Sequence, residues 1–263
     1  MKIGIIGVGV VGKAIKKGFE NTHEIFLHDP KLGTNIENVT ENTNFSYIAV
    51  PTPNDPETGK CDISIIESVL NEIPNNHKII IKSTMVPGST KYLQEKYPNL
   101  IIGCSPEFLR SATSEYDFKN QDILVVGTNN FQLAEEVFQQ HKEAGVMRNE
   151  KFFHVTPTQA ELVKYAKNSF YAMKVIFANQ FHDLAENLGE EWSIVKEIIT
   201  TNQEQPIGPS HLNSPKYGER GYGGECLPKD TLALNNYLEE RGIKYNIIQA
   251  ILNDNESLRA EKD

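Results

Sequence analysis

The first twenty residues, MKIGIIGVGVVGKAIKKGFE (Met1–Glu20), decide the fold. The β-branched run Lys2–Ile6 predicts a buried strand, and the glycine-rich turn Gly7–Gly12 follows it directly with the spacing G-x-G-x-x-G. The apolar pattern of Val10–Phe19 then predicts an amphipathic helix. A strand, such a turn and a helix in this order are typical of the first βαβ unit of a dinucleotide-binding domain.

Each part of this unit has a physical role. Gly7 allows the tight turn, Gly9 lets a pyrophosphate approach the backbone, and Gly12 permits close packing of the helix. The helix N-terminus offers free N–H groups and a positive dipole to the phosphates. Asp29, at the end of the second predicted strand, would bind ribose hydroxyls and repel a 2′-phosphate, which favours NAD over NADP. For the glycine motif taken alone, a plain surface turn is the alternative.

Strand and helix patterns alternate through the first half of the chain, which predicts parallel strands joined by crossover helices. The fold class is therefore α/β, a doubly wound parallel Rossmann sheet over residues 1–155. The predicted strands are Lys2–Ile6, Glu24–His28, Phe45–Val50, Lys78–Lys82, Leu100–Cys104 and Ile123–Val126, and the predicted helices are Val10–Phe19, Ile63–Ile73, Ser89–Tyr97 and Phe131–Ala144.

The second part of the chain, residues 156–263, is predicted to be an all-helical domain. Thr156 and Pro157 suit a helix start, and nothing breaks the helical pattern before Leu188, so one long helix is expected. The other predicted elements are helices over Trp192–Thr200, Thr231–Arg241 and Asn246–Arg259 and a loop over Gln203–Glu225.

The charge, the apolar runs and the cysteine spacing of the sequence argue against several classes of protein. Asp and Glu total 35 against 26 Lys and Arg, a net charge of −9, and no basic cluster is present, which argues against nucleic acid or an anionic membrane as partner. No apolar run approaches the roughly 20 residues of a membrane helix, and the N-terminus lacks a signal-peptide pattern. The three cysteines are widely spaced, which argues against disulfides and a zinc site. We expect a cytoplasmic, metal-free protein.

The stretch Gly223–Asp230, GGECLPKD, holds the strongest candidate for a nucleophile. Cys226 precedes a helix led by Pro228, where free amides and the ammonium of Lys229 would favour a thiolate. The two preceding glycines leave room for a substrate at the sulfur, and Asp230 shares the helix face of Cys226. The alternative is an ordinary buried cysteine.

Other polar residues occupy a helix face or the ends of strands. Lys164 and Asn168 lie at i, i+4 on the long helix, where a cation and an amide can stabilise a developing alkoxide; a solvated helix face is the alternative. Thr52, Thr84 and Glu107 follow the third, fourth and fifth strands, at the edge of the sheet where ligands bind. The alternative interpretations are a simple proline turn at Thr52 and a loop-end cap at Glu107.

Besides the glycine turn, four further stretches of the sequence are distinctive motifs: Ile81–Thr84 (IKST), Ser105–Arg110 (SPEFLR), Glu161–Asn168 (ELVKYAKN) and Gly221–Asp230 (GYGGECLPKD). Together and in this order they resemble the UDP-glucose/GDP-mannose dehydrogenase family across nearly the whole chain. The resemblance implies a two-step NAD-dependent oxidation of a nucleotide sugar at C6 to a uronic acid. It implies that Cys226 traps the aldehyde as a thiohemiacetal, which a second hydride loss converts to a thioester. The other roles implied are proton removal by Asp230, polarisation of the C6 oxygen by Lys164 and Asn168, positioning of a water by Thr84, and activation of water by Glu107.

The resemblance also implies binding residues and a partner. The helical domain would form a homodimer along the long helix, where Tyr165, Phe170, Met173, Phe177, Phe181 and Leu184 are large apolar side chains. The implied cofactor contacts are Gly7, Val8, Gly9, Val10, Val11, Gly12, Asp29, Thr52, Thr84 and Lys229. The implied substrate contacts are Phe108, Leu109, Arg110, Lys164, Asn168, Tyr222 and Gly223.

Departures from the family pattern leave alternatives open. The second acid expected after Glu107 is Ser111, and the arginine expected before Ile207-Gly208 is Pro206. Family members continue into a second Rossmann-like domain, whereas this sequence ends at Asp263, so we expect it to bind a nucleotide sugar weakly. The alternatives are a simpler alcohol or 3-hydroxyacid dehydrogenase, which does not need Cys226, and a non-catalytic NAD-binding subunit.

Overall fold

The structure is a computed structural model that describes residues 1–201, 208, 210–211, 220–242 and 246–260. The chain divides into two compact units. Unit 1 comprises Met1–Asp55 and Cys61–Lys164, and unit 2 comprises Pro56–Lys60 and Tyr165–Asp263. The division falls inside the long helix, whereas the predicted domain boundary lies just before that helix.

Unit 1 is built on one seven-stranded sheet. Its strands are β1 (Lys2–Ile6), β2 (Glu24–His28), β3 (Phe45–Ile48), β4 (Lys78–Ile81), β5 (Ile101–Cys104), β6 (Leu124–Gly127) and β7 (Phe152–Val155), in the spatial order β2-β1-β3-β4-β5-β6-β7. Neighbours are parallel except β5 and β6, which share one antiparallel pair, Cys104 with Gly127. Since β2 and β3 flank β1 on opposite sides, the strand order reverses there and opens a ligand crevice at the carboxyl ends.

Helices cover both faces of this sheet, which confirms the predicted doubly wound α/β class. Along β4, Ile79 and Ile81 belong to one core cluster and Ile80 to the other, so a continuous apolar run serves two layers. The helices of unit 1 are α1 (Val10–Phe19), α2 (Glu37–Thr40), α3 (Ser64–Glu72), α4 (Ser89–Lys96), α5 (Ser114–Lys119) and α6 (Phe131–Glu143), with 3-10 turns at Pro30–Leu32 and Ser111–Thr113.

Unit 2 is helical in its described part. Its helices are α7 (Pro157–Asn187), whose first residues through Lys164 belong to unit 1, then α8 (Trp192–Thr201), α9 (Leu227–Glu240) and α10 (Ile247–Ala260). Helix α9 begins four residues before the predicted Thr231, because Pro228 in the first turn loses no helical hydrogen bond. The predicted loop Gln203–Glu225 lies largely outside the described residues, and so does Pro206. Within the described residues, no helix is long and apolar enough to span a bilayer.

Candidate active site

The glycine turn after β1 contains two glycines that the backbone itself requires and one that leaves space for a ligand. Gly7 has φ +90°, and a Cβ there would lie 2.6 Å from the Ala49 carbonyl oxygen. A Cβ on Gly12 would lie 1.9 Å from the Gly7 carbonyl oxygen. Gly9 has φ −76°, and a Cβ there would meet no heavy atom of the described residues within 4 Å. The space at Gly9 is therefore open toward solvent, where a pyrophosphate would need to approach, and the turn fits a dinucleotide.

Asp29 at the end of β2 is fixed by this turn. Its Oδ2 accepts a hydrogen bond from the Val8 N–H at 2.7 Å, and its Oδ1 accepts one from the Lys31 N–H at 2.8 Å. These two bonds to the charged form lower the pKa of the Asp29 carboxyl below its usual value. A fixed negative charge beside the turn supports the predicted preference for NAD over NADP.

The loops after β3 and β4 are tied together by hydroxyl groups. Thr52 donates from Oγ1 to the Thr84 carbonyl oxygen at 2.7 Å, and Ser83 donates from Oγ to the Val50 carbonyl oxygen at 2.6 Å. Thr52 is buried and its proton is used inside the protein. The cofactor contacts predicted for Thr52 and Thr84 stay predictions, and the structure adds that the two residues are linked.

After β5, Glu107 lies in a buried charged pair that sequence reasoning missed. Its carboxylate contacts the ammonium of Lys82, which follows β4, and both side chains are buried. Lys82 also donates to the Ser105 Oγ at 3.0 Å. The available signal was a lysine that ends the apolar run Ile79–Ile81. At the same place Lys164 donates from Nζ to the Glu107 carbonyl oxygen at 2.7 Å, so two lysines hold Glu107.

Helix α7 is anchored in unit 1 by Glu161. The Glu161 carboxylate accepts hydrogen bonds from the Gly88 N–H at 2.6 Å and from the N–H and hydroxyl of Thr90, each at 2.7 Å, at the start of α4. Burial raises the pKa of Glu161 above its usual value, against the effect of these bonds. The anchor fixes the helical turn that precedes Lys164.

The three residues predicted as substrate contacts after Glu107 have partners within unit 1. Phe108 packs against one core cluster and Leu109 against the other. Arg110 is exposed, and its guanidinium donates to both Asp117 oxygens at 3.1 and 2.7 Å, which lowers the pKa of Asp117 to about 2. Their substrate contacts stay predictions, and for Arg110 contact with a substrate would compete with Asp117.

In unit 2, Cys226 occupies the position just before α9, its side chain makes no capping hydrogen bond, and the residue is exposed. The Asp230 N–H donates to the Cys226 carbonyl oxygen at 2.9 Å, so the two residues lie one helical turn apart, as predicted. The buried Asp230 carboxylate accepts from the Asn168 Nδ2 at 2.5 Å and pairs with the Lys229 Nζ at 2.7 Å. Lys229, predicted to favour a thiolate at Cys226, thus has its charge matched by Asp230.

The loop before Cys226 is shaped by α10. A Cβ on Gly223 would lie 2.7 Å from the Arg259 Nη1, whereas a Cβ on Gly224, at φ +78°, would meet no heavy atom of the described residues within 4 Å. Among the described residues, the space beside Gly224 is therefore open and the space beside Gly223 is occupied by Arg259, and the room predicted for a substrate at the sulfur stays a prediction. Tyr222 donates its N–H to the Asn255 Oδ1 at 2.6 Å, and burial raises the pKa of the Tyr222 phenol to about 12. The predicted substrate contacts of Tyr222 and Gly223 stay predictions.

Comparison with known proteins identifies the class. Residues 27–144 match the NAD binding domain of the UDP-glucose/GDP-mannose dehydrogenase family, and residues 158–257 match its central domain. UDP-glucose 6-dehydrogenase of Rickettsia felis is 35% identical over 231 residues, which cover 84% of this chain and 50% of that protein. The Campylobacter jejuni enzyme of the same name is 33% identical over 298 residues, which cover 97% and 72%. A solved UDP-glucose dehydrogenase from the archaeon Pyrobaculum islandicum superposes with a TM-score of 0.85 at 27% identity, covering 97% of this chain and 68% of that one.

The chain therefore belongs to the UDP-glucose/GDP-mannose dehydrogenase family, as the sequence motifs predicted. Its first part is the NAD-binding domain of that family, and NAD is the cofactor. The chain spans about half the length of the Rickettsia felis relative.

Proposed function

We propose that this chain oxidises the C6 alcohol of a nucleotide sugar to a uronic acid, with UDP-glucose as the first candidate substrate. The observation that carries the proposal is the cluster in unit 2: an exposed thiol at Cys226, one helical turn from an Asp230 carboxylate bound by Asn168 and Lys229. A dehydrogenase that stops at the aldehyde or ketone has no need of this thiol.

NAD, when bound, takes up one hydride in each of the two oxidations. In the first, Asp230 receives the hydroxyl proton through a bound water, and Asn168 and Lys229 stabilise its charge. Lys164 and Asn168 polarise the oxygen on C6 as negative charge develops there. The product of this step is an aldehyde, which has no further hydride to give unless a nucleophile adds to its carbon.

Cys226 supplies that nucleophile. Its sulfur adds to the aldehyde carbon and forms a thiohemiacetal, which still carries the C6 hydrogen and loses it as hydride to give a thioester. Water then attacks the thioester carbon while Glu107 accepts a proton from the water, which Thr84 positions. The carbon–sulfur bond breaks, the thiol is restored and a uronic acid leaves.

The yield of reduced NAD per sugar tests this proposal against the two alternatives. A panel of nucleotide sugars is supplied in limiting amount with excess NAD, and absorbance at 340 nm is followed to its end point. The proposal expects two reduced NAD per sugar with at least one member. One per sugar would support the simpler dehydrogenase, and none would support a non-catalytic subunit.

We also propose a homodimer that uses the apolar face of unit 2. Phe170, Phe177, Phe181 and Leu184 on α7 are exposed large apolar side chains, and α8 adds Ile194 and Ile198. Tyr165 and Met173 of the predicted set are instead packed inside the chain. An exposed apolar surface of this extent supports burial against a second copy. A monomer by light scattering at micromolar concentration would contradict this proposal.

A further inference from the structure

We propose that Lys82 is a positioning residue, which keeps the Glu107 carboxylate ionised and oriented to accept a proton from water. The inference rests on the proposed function, in which Glu107 activates the water that hydrolyses the thioester. Neither the sequence motifs nor the comparisons assign a role to Lys82.

Lys82 lies at the carboxyl ends of the parallel strands, close to Glu107. It directly follows β4, and its ammonium touches the Glu107 carboxylate and donates to the Ser105 Oγ at 3.0 Å. The side chains of Lys82 and Glu107 are only 1% and 7% exposed. The Lys82 Nζ also lies 5.9 Å from the centre of the Tyr47 ring, whose face attracts a cation. Lys82 is thus fixed on several sides, and Glu107 with it.

Stability is a poor explanation for such a pair. Removing two charges from water costs more than their attraction usually returns, and apolar residues of similar volume are often as stable. The preceding residues of β4, Ile79–Ile81, are fully buried isoleucines, the residue type expected where only the stability of the core matters. The pair occupies the carboxyl end of parallel strands, where ligands bind in sheets of this type. Its position therefore indicates a role in the reaction.

A second lysine–glutamate pair on the same strand provides the contrast. Lys78, at the other end of β4, pairs with Glu136 at 2.6 Å, and these side chains are 31% and 25% exposed. That pair lies at the amino end of the strand, away from the ligand edge. The two pairs share their chemistry and their strand and differ in burial and in the end of the sheet that they occupy.

The chemical step assigned to Glu107 needs an ionised carboxylate. A water oxygen forms a bond to the thioester carbon, the carbon–sulfur bond breaks with its electron pair going to sulfur, and one water proton passes to Glu107. No oxidant or reductant is consumed. The charged and titratable groups around Glu107 are the Lys82 ammonium at its carboxylate, the Tyr47 phenol and the Lys164 ammonium at its backbone carbonyl. Without Lys82, a buried carboxyl would take up a proton and lose its ability to act as a base.

The kinetic test compares Lys82→Met with wild type, with Glu107→Gln and with the control Lys78→Met. In Lys82→Met we expect two reduced NAD per active site in a first rapid phase, then a steady rate lowered about 10²-fold, with an acyl group retained on Cys226. The KM for NAD should not change. Lys78→Met should behave as wild type. Lys82→Arg, which restores the charge, should recover most of the rate, and the double variant Lys82→Met/Glu107→Gln should be no slower than Glu107→Gln alone.

A second measurement does not depend on turnover. In protein labelled with ¹³C at glutamate carboxyls, the Glu107 signal is assigned by its loss in Glu107→Gln. At pH 7 we expect the shift of an ionised carboxylate in wild type and Lys82→Arg, and of a protonated carboxyl in Lys82→Met. An unmoved signal, or a Lys82→Met steady rate equal to wild type, would overturn the inference. Wild-type protein that reduces no NAD with any nucleotide sugar would instead contradict the proposed function, and the carboxyl signal would still decide the role of Lys82.

Discussion

The glycine turn of unit 1 (Gly7–Gly12) and the thiol loop of unit 2 (Gly221–Cys226) both contain glycines that are packed against protein atoms, but the kind of atom that limits each glycine differs. In the turn, Gly7 has φ +90°, and backbone atoms would lie 2.6 Å and 1.9 Å from a Cβ on Gly7 and on Gly12. In the loop, Gly221 has φ +73°, and a Cβ there would lie 2.5 Å from the Oδ1 of Asn255, a side chain of the remote helix α10 that also holds Tyr222. A turn limited by its backbone conformation and by backbone atoms can be predicted from the spacing of its glycines, whereas a loop limited by the side chains of a remote helix cannot.

The two regions also share a feature. Among the described residues, no heavy atom lies within 4 Å of a Cβ on Gly9 in the turn or on Gly224 in the loop, while the glycines beside them are packed against protein atoms. Each region thus combines one glycine beside open space with neighbours that are packed against protein atoms. Substitutions in the two regions should therefore distinguish the packed glycines from the open ones and cofactor binding from the chemistry at the thiol.

The largest effect is expected at the thiol. Cys226→Ser should lower uronic acid formation by roughly 10³-fold or more, because a serine hydroxyl without a dedicated base is a poor nucleophile. NAD affinity, which depends on the glycine turn of unit 1, should not change. The rate is followed as reduced NAD and the affinity by calorimetric titration. Acid formation at the wild-type rate would show that the thiol loop is not a covalent site.

Asp230→Asn should have the next largest effect. The substitution keeps the shape of the side chain but removes the base and the ion pair between Asp230 and Lys229. We expect kcat to fall about 10²-fold to 10³-fold, the usual contribution of a general base. A change in KM for NAD with kcat preserved would mean that Asp230 serves binding and not proton transfer.

Gly9→Ala should weaken NAD binding without a loss of stability, whereas Gly12→Ala should lower the stability of the fold. Gly9→Ala should unfold at the wild-type temperature and bind NAD about tenfold more weakly, a loss of about 1.4 kcal/mol, since its Cβ enters the open side of the turn. Gly12→Ala should lose roughly 1–3 kcal/mol of stability through overpacking against Gly7. Thermal unfolding and NAD titration of both variants check the contrast. Equal stability losses would contradict it.

The last effect, on stability and not on catalysis, is a pH dependence in the core of unit 1. Burial lowers the pKa of His77 to about 4, and its Nε2 lies 2.8 Å from the Ser46 hydroxyl. The unfolded chain takes up this proton near pH 6.5 and the folded chain near pH 4, so the free energy of unfolding should fall as the pH is lowered between them. The expected loss for this residue is on the order of 2–3 kcal/mol. His77→Asn should show a flatter dependence of the unfolding temperature on pH than wild type by circular dichroism.

Most of the fold of unit 1 was predictable because its signals are local. The strands and helices predicted there lie within two residues of those observed, since β-branched runs and helical periodicity coincide with burial. The strand β7 was missed because Phe152–Val155 is short and half exposed, with no alternation to mark it. The short helices α2 and α5 were missed for the same reason, as four and six residues carry too little periodicity.

The sequence motifs predicted which residues belong to the candidate site, but not most of the contacts between them. The motifs pointed to Cys226, Asp230, Asn168, Lys164 and Glu107. They did not reveal that Asn168 and Lys229 both bind Asp230, that Arg110 pairs with Asp117, or that Lys82 holds Glu107. These contacts join residues far apart in sequence or choose one of several possible partners, and that choice depends on packing.

A covalent intermediate on Cys226 would change the mass of the intact protein. Glu107→Gln protein is mixed with UDP-glucose and NAD, quenched in acid within seconds and analysed by mass spectrometry, with Cys226→Ser/Glu107→Gln as the control. We expect Glu107→Gln to gain the mass of one UDP-glucuronyl group, located on the peptide that contains Cys226, and the control to gain none. An unmodified Cys226 peptide in a sample that has reduced two NAD per sugar would rule out the covalent intermediate.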